Sequence, residues 1–389
     1  MNTETFGLRV AGAPISRRRV LTSLGLGVPA AAGWARQALT QEIPPGLPPG
    51  VKLPHVVLVS LGGTIASRGD TRLNLNNYGG PGNRVGPEVW IEALPELARI
   101  ARVTPVDLRP PEEPAGTRGG MTADHLFKAA ARIQGLADDP AVDGLVVTHG
   151  TNTMAETGWL MNLVLNTRKP VVFVGAQRPW TGISGDGPLN LCDAVRVAAA
   201  PAAAGKGVLH VMNQNINTIR DVMKTNAYRV DTFRSPDLGV LGSVDPDRVV
   251  FYMEPLQRHT YRSEFHLARL PSPPVLPAVE VLYAYMESPG YLVDALVGHG
   301  VKGIVIDGTG AGSPGGGQSE ALKRAQEKGV VVVATARTRG GRVQDTPRRR
   351  EAGIVPGDNL QPEKARILLQ FALTTPRSPD DLQRIFREY

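Results

Sequence analysis

Six short apolar, largely β-branched runs punctuate the chain. They are His55-Val-Val-Leu-Val-Ser, Gly144-Leu-Val-Val-Thr, Pro170-Val-Val-Phe-Val-Gly, Val208-Leu-His-Val-Met, Gly303-Ile-Val-Ile-Asp and Val330-Val-Val-Val-Ala. None alternates apolar with polar residues. Strands read this way when both faces are covered, as in parallel sheets. Helical patterns lie between the runs and predict helices over 122–136, 155–166 and 319–328. The last opens at Ser319-Glu-Ala-Leu and stops at Gly329. Strands alternating with helices predict an α/β fold with a mainly parallel sheet. Residues 259–279 carry four prolines and no sustained pattern, and read as an interdomain linker. The alternation restarts at Val279-Glu-Val-Leu-Tyr. The expected domains are therefore 55–258 and 280–389, and 389 residues are ample for two cores.

The first 54 residues follow another pattern. Ser16-Arg-Arg-Arg-Val-Leu-Thr precedes a short Ala- and Gly-rich apolar stretch, too short to span a bilayer. Residues 1–38 read as a cleaved export signal resembling the twin-arginine type. This implies a periplasmic or secreted protein with no stable membrane span after cleavage. Residues 39–54, rich in Pro and Gly, read as a linker. The leader also changes the reading of charge. The chain carries a formal +7, but residues 1–38 hold five arginines against one glutamate, so only +3 remains on the rest. With no basic helix interleaved with aromatics, the pI gives no case for a nucleic-acid partner. Arg348-Arg349-Arg350 reads as a solvated face.

Ligands of open parallel sheets bind beyond the C-terminal strand ends. Those ends here are Gly62-Gly63-Thr64, Thr148-His149-Gly150-Thr151-Asn152-Thr153, Gly175-Ala-Gln-Arg178 and Gly308-Thr-Gly-Ala-Gly-Ser313. They are rich in hydroxyls and glycines and poor in carboxylates, and they hold no metal-ligand cluster. This suits nucleophilic acyl transfer, with backbone amides as an oxyanion hole. A threonine nucleophile needs a proton acceptor. Lys224, in Asp221-Val-Met-Lys-Thr-Asn, serves if a partly dry cleft lowers its pKa; taken alone it reads more readily as a surface ammonium than as a base.

Other features point to chemistry less well. Gly310-Ala-Gly-Ser-Pro-Gly315 matches G-x-G-x-x-G, but Pro314 interrupts it and no acid ends the next strand. Gly315-Gly-Gly lacks the phosphate-binding lysine. His149 has no second histidine at ligand spacing and reads as a hydrogen-bonded strand-end residue. Cys192 is the chain's one cysteine, which excludes an intramolecular disulfide and a Cys-based metal site. It reads as a small apolar residue in a buried helix.

Several motifs together resemble a known family. Leu61-Gly-Gly-Thr-Ile-Ala is similar to the first signature of the bacterial L-asparaginases, or glutaminase-asparaginases, and Thr148-His-Gly-Thr-Asn-Thr-Met-Ala-Glu-Thr to their second. Gly175-Ala-Gln-Arg-Pro with Gly185-Asp-Gly-Pro-Leu-Asn-Leu is similar to the stretch that follows. Asp221-Val-Met-Lys-Thr-Asn-Ala-Tyr-Arg-Val-Asp-Thr-Phe resembles the family's lysine motif. The resemblance runs in order from about Leu53 to the C-terminus, and is densest to residue 240.

The resemblance implies a larger N-terminal and a smaller C-terminal α/β domain. It implies a homotetramer of two intimate dimers, each active site being closed by a neighbour. It further implies hydrolysis of L-asparagine through an acyl-threonine, without cofactor or metal. Thr64 falls at the nucleophile, Thr151 and Lys224 at the proton-handling pair, and Tyr78 at the active-site-loop tyrosine, after allowing a short insertion before Gly86. Asn152 stands where the family has the aspartate that pairs with the substrate ammonium. The serine that grips the substrate carboxylate is replaced by Thr117 or Arg118. Ser313 matches the neighbour's asparagine, and that neighbour's acidic residue has no clear match. These departures leave two alternatives open beside asparagine hydrolysis: an amidohydrolase or glutaminase of altered recognition, or a non-catalytic amide-binding protein.

Overall fold

The computed structural model describes residues 52–80, 82–110 and 121–389. The leader at 1–38, most of the linker at 39–54, and Thr117 and Arg118 lie outside the described residues. The larger sheet is built from β1 (His55–Ser60), β2 (Arg102–Asp107), β3 (Gly144–Thr148), β4 (Val171–Val174), β5 (Val208–Met212) and β6 (Asn215–Thr218). A two-stranded hairpin follows, β7 (Met223–Lys224) and β8 (Phe233–Arg234). Then β9 (Gly242–Val244) and β10 (Val249–Phe251) return to the large sheet. Its order is β10-β9-β6-β5-β4-β3-β1-β2. Strands β2 to β5 run parallel with β1, while β6, β9 and β10 add an antiparallel edge. Val56, Val57, Leu58 and Val59 are all buried, because helices cover both faces.

The smaller sheet is all parallel, with β11 (Val279–Tyr283), β12 (Gly303–Gly308), β13 (Val331–Ala336) and β14 (Ile354–Pro356) in that order. Its strands serve two cores. Ile304 and Ile306 pack with Leu322 and Ala325 on one face. Val305 and Val333, on the other, join the large core containing Leu58, Phe173, Phe371 and Tyr389. The smaller domain thus shares its inner core with the larger one, and Lys52–Tyr389 pack as one compact unit.

The expected helices form at Ala123–Asp138, Met154–Val164 and Gln318–Glu327. Thr122 caps the first by accepting from the His125 amide. Ser319 does not cap the third. The N-cap is Gly317, with no side-chain bond, while Gln318 accepts from the Gly315 amide. The stop at Gly329 holds, with φ +83°. Residues 259–279 contain two short 3-10 turns. Among the described residues no helix is long and apolar enough to cross a membrane.

Candidate active site

The site forms at the C-terminal ends of β1, β3 and β4. Ser60 and Thr148 are register partners, and the Leu61 amide extends the pairing to the Thr148 carbonyl. Beyond them the chain turns at Gly62 and Gly63, with φ +90° and +95°, a region L side chains rarely adopt. A Cβ on Gly63 would lie 2.4 Å from the Gly150 amide nitrogen. The two turns therefore touch backbone to backbone, and this contact places Thr64 and Thr151 on one cleft. A third turn closes against them. Asp186 accepts from the Gln177 and Arg178 amides, and Asn190 donates to the Gly175 carbonyl. A Cβ on Gly175 would meet Thr151 at 3.3 Å.

The cleft encloses about 500 Å³ and is lined by Thr64, Tyr78, Thr151, Asn152, Gln177 and Lys224, among others. Thr64 Oγ1 lies 3.0 Å from the Tyr78 hydroxyl. Tyr78 sits on a flap between Ser67 and Arg84, which form a β-bridge. The Gly79 amide donates to Arg68, and the Ser67 hydroxyl donates back to the Gly63 carbonyl. Lys224 Nζ donates to Thr151 Oγ1 at 2.9 Å and to Asn152 Oδ1 at 3.4 Å. Burial lowers the Lys224 pKa, which favours the neutral amine a proton acceptor must be.

Four predicted site residues thus fall into two hydrogen-bonded pairs, and Asn152 joins the second. Ser313 does not line this cleft; it is exposed on the loop after β12. Gly308 and Gly315, which flank that loop, serve packing. A Cβ on Gly308 would lie 2.4 Å from the Gly312 carbonyl carbon, and one on Gly315 2.2 Å from the Tyr285 carbonyl oxygen. His149 is buried, with its ring beside the Gly150 carbonyl, and burial lowers its pKa to about 4. It is neutral at neutral pH and is not among the residues that line the cleft. Burial pushes the Cys192 thiol up to about 11, so it is no nucleophile at neutral pH. Among the described residues no group of three or more His, Cys, Asp or Glu is placed to hold a metal ion.

Sequence reasoning did not single out Arg84 and Tyr228, which also line the cleft, or Lys364, which bonds to the segment before Lys224. Lys364 is fully buried on the helix Pro362–Ala372. Its ammonium donates to the carbonyls of Ile219, Arg220 and Val222, the residues leading into Lys224. A signal existed: Lys364, Ile367, Leu368 and Phe371 share one helical face, and the last three are apolar.

The model of the asparaginase N-terminal domain matches residues 55–257, and that of the glutaminase/asparaginase C-terminal domain residues 278–386. The chain belongs to the asparaginase family. It is 40% identical over 339 residues to L-asparaginase 2 of Bacillus subtilis (strain 168), covering 87% of each chain. It is 37% identical to the probable periplasmic L-asparaginase of Haemophilus influenzae, covering 87% of this chain and 93% of that one. The crystal structure of a probable cytoplasmic L-asparaginase from Campylobacter jejuni superposes with a TM-score of 0.80 at 35% identity, over 86% of this chain and 100% of that chain. The two-domain α/β architecture is that of this asparaginase, and family membership makes the chain an amidohydrolase.

Proposed function

We propose that this asparaginase-family chain hydrolyses the side-chain amide of L-asparagine to L-aspartate and ammonia, with Thr64 as nucleophile and no cofactor. The observation that carries the reading is the pair of hydroxyl contacts on one cleft, Thr64 with Tyr78 and Thr151 with Lys224. Thr64 Oγ1 attacks the amide carbon, and its proton passes to the Thr151–Lys224 pair, which hands it on to the departing nitrogen. Backbone amides at the glycine turns hold the oxyanion. The nitrogen takes up a proton and leaves as ammonia. Water then attacks the acyl ester, which frees the carboxylate and restores the Thr64 hydroxyl. Asn152 and the Thr117–Arg118 segment act on the substrate's α-substituents, with Ser313 supplied by a neighbouring copy.

Ammonia release from the purified protein against L-asparagine, L-glutamine and simple amides tests this. Turnover of L-asparagine above the simple amides is expected. An inert asparagine beside an active alternative amide would move the substrate and keep the nucleophile. Calorimetric binding without any turnover would make the chain a binding protein.

Assembly as a dimer of dimers is part of the same reading. What supports it is an exposed apolar surface on edge strand β11 and the segment after it. Tyr283, Tyr285, Met286 and Tyr291 are exposed there, and the first two rings lie 6.5 Å apart. Met286→Arg with Tyr291→Arg is expected to reduce the mass seen by light scattering to a smaller species; an unchanged mass would remove this surface from the assembly. Export through the twin-arginine-like leader to the periplasm or beyond completes the proposal, in keeping with the periplasmic relative.

A further inference from the structure

The flap that carries Tyr78 does not hang free over the cleft. It is bonded to the turn between β4 and the helix Gly187–Ala199. The Trp180 amide donates to the Ser67 carbonyl and the Ile183 amide to the Arg72 carbonyl, each at 2.8 Å. Between these two backbone bonds sits Thr181. Its hydroxyl accepts from the Gly69 amide at 2.9 Å and donates to the Gly69 carbonyl at 3.2 Å. One side chain thus meets both backbone polar groups of one flap residue, which a hydroxyl can do because it is donor and acceptor at once.

The turn is the firmer partner. Asp186 holds its Gln177 and Arg178 amides, Arg178 Nη1 donates to the Ser184 carbonyl, and the Gly182 amide donates to the Pro179 carbonyl. A Cβ on Gly182 would lie 3.0 Å from Leu75 Cδ2, so flap and turn also pack closely. From Gly69 the path to the reacting hydroxyl is short. Its neighbour Arg68 accepts from the Gly79 amide, and Tyr78, next to Gly79, reaches Thr64. All these contacts lie within one chain and do not depend on a neighbouring copy. We propose that Thr181 is a positioning residue for the amide hydrolysis: its hydroxyl latches the flap, and the latched flap holds the Tyr78 hydroxyl against Thr64 Oγ1. Thr181 does not line the cleft and acts only through Tyr78. An unlatched flap leaves the Thr151–Lys224 side as it was and lowers the share of molecules in which Thr64 is oriented, so the loss falls on kcat rather than KM. This kinetic part rests on the amide-hydrolase reading above; the latch itself does not.

The test compares the full chain as wild type, Thr181→Val, Thr181→Ser, Tyr78→Phe and the double variant Thr181→Val/Tyr78→Phe. Two quantities are read: amide hydrogen exchange over 68–80 by mass spectrometry, and kcat and KM for ammonia release from L-asparagine. Thr181→Val is expected to exchange the flap about tenfold or more faster, with the helix Gly187–Ala199 unchanged. Its kcat should fall about fivefold or more, with KM within about twofold. Thr181→Ser should restore both. The double variant should be no slower than Tyr78→Phe alone, because the latch works through that hydroxyl. Thr181→Ala is read in the same way if the valine variant misfolds. Unchanged flap exchange overturns the latch. Faster exchange with kcat unmoved, or a double variant that multiplies the two losses, overturns the positioning role. A wild type inert toward every amide overturns the amide-hydrolase reading instead, and exchange alone then decides the latch.

Discussion

Thr64→Ala is expected to lower kcat for every amide by at least about a thousandfold, since removing a covalent nucleophile leaves only binding and oxyanion stabilisation. The fold should survive. Thr64 is half-buried at the start of a three-residue 3-10 turn whose geometry depends on Gly62 and Gly63. Its hydroxyl contributes one hydrogen bond, to Tyr78, worth roughly 0.5–1.5 kcal/mol. A shift of a few degrees at most in the melting midpoint follows. Steady-state ammonia release and a thermal melt on the same preparation check both halves. Turnover within tenfold of wild type, with the melt unchanged, would refute Thr64 as nucleophile and shift attention to Thr151 on the facing turn. Loss of turnover with a collapsed melt would assign Thr64 a structural part instead.

The strands that carry this site were legible because each is apolar on both faces. Val56 to Val59 and Val171 to Val174 are buried, and short β-branched runs of that length bounded by turn residues read as covered strands. The antiparallel edge was not legible. Strands β9 and β10 have three residues each, too few for any period to show. The glycines at 62 and 63 stood out in the sequence, yet the reason for Gly63, an approach to Gly150, belongs to a partner 87 positions away. Ser319 had the right residue type for a cap and does not serve as one, because the turn before it is set by Gly315 and Gln318. The grouping of Thr64, Tyr78, Thr151 and Lys224 came from matched motifs, and periodicity alone would not have joined them. Tyr228 stayed unread because an exposed loop tyrosine has no sequence mark that separates a cleft wall from open surface.

Lys364→Met should cost both stability and rate, for one physical reason. A fully buried ammonium has three N–H donors, and here each finds a backbone carbonyl, at 2.7–2.9 Å. Burial lowers the Lys364 pKa to about 8, against the opposing pull of Asp221 and Glu363, so the ammonium form prevails at neutral pH. Methionine fills much the same volume and donates nothing. Up to three buried carbonyls then lose their partners, at about 1–3 kcal/mol each before relaxation, so a loss of roughly 3–5 kcal/mol is expected. The rate follows from what those carbonyls belong to. Residues 219–222 feed directly into β7 and hold Lys224 at Thr151. The backbone of Lys364 also accepts from Trp159 Nε1, on the helix that begins three residues past Thr151. One lysine on the smaller domain therefore anchors both members of the Thr151–Lys224 pair. At a temperature where Lys364→Met remains folded, kcat should still be about tenfold or more below wild type, with a displaced pH–rate profile. A purely structural lysine would lower the melting midpoint and leave kcat and its pH profile where they were. That result would detach Lys364 from the site, and an unshifted midpoint would refute the hydrogen-bonding account as well.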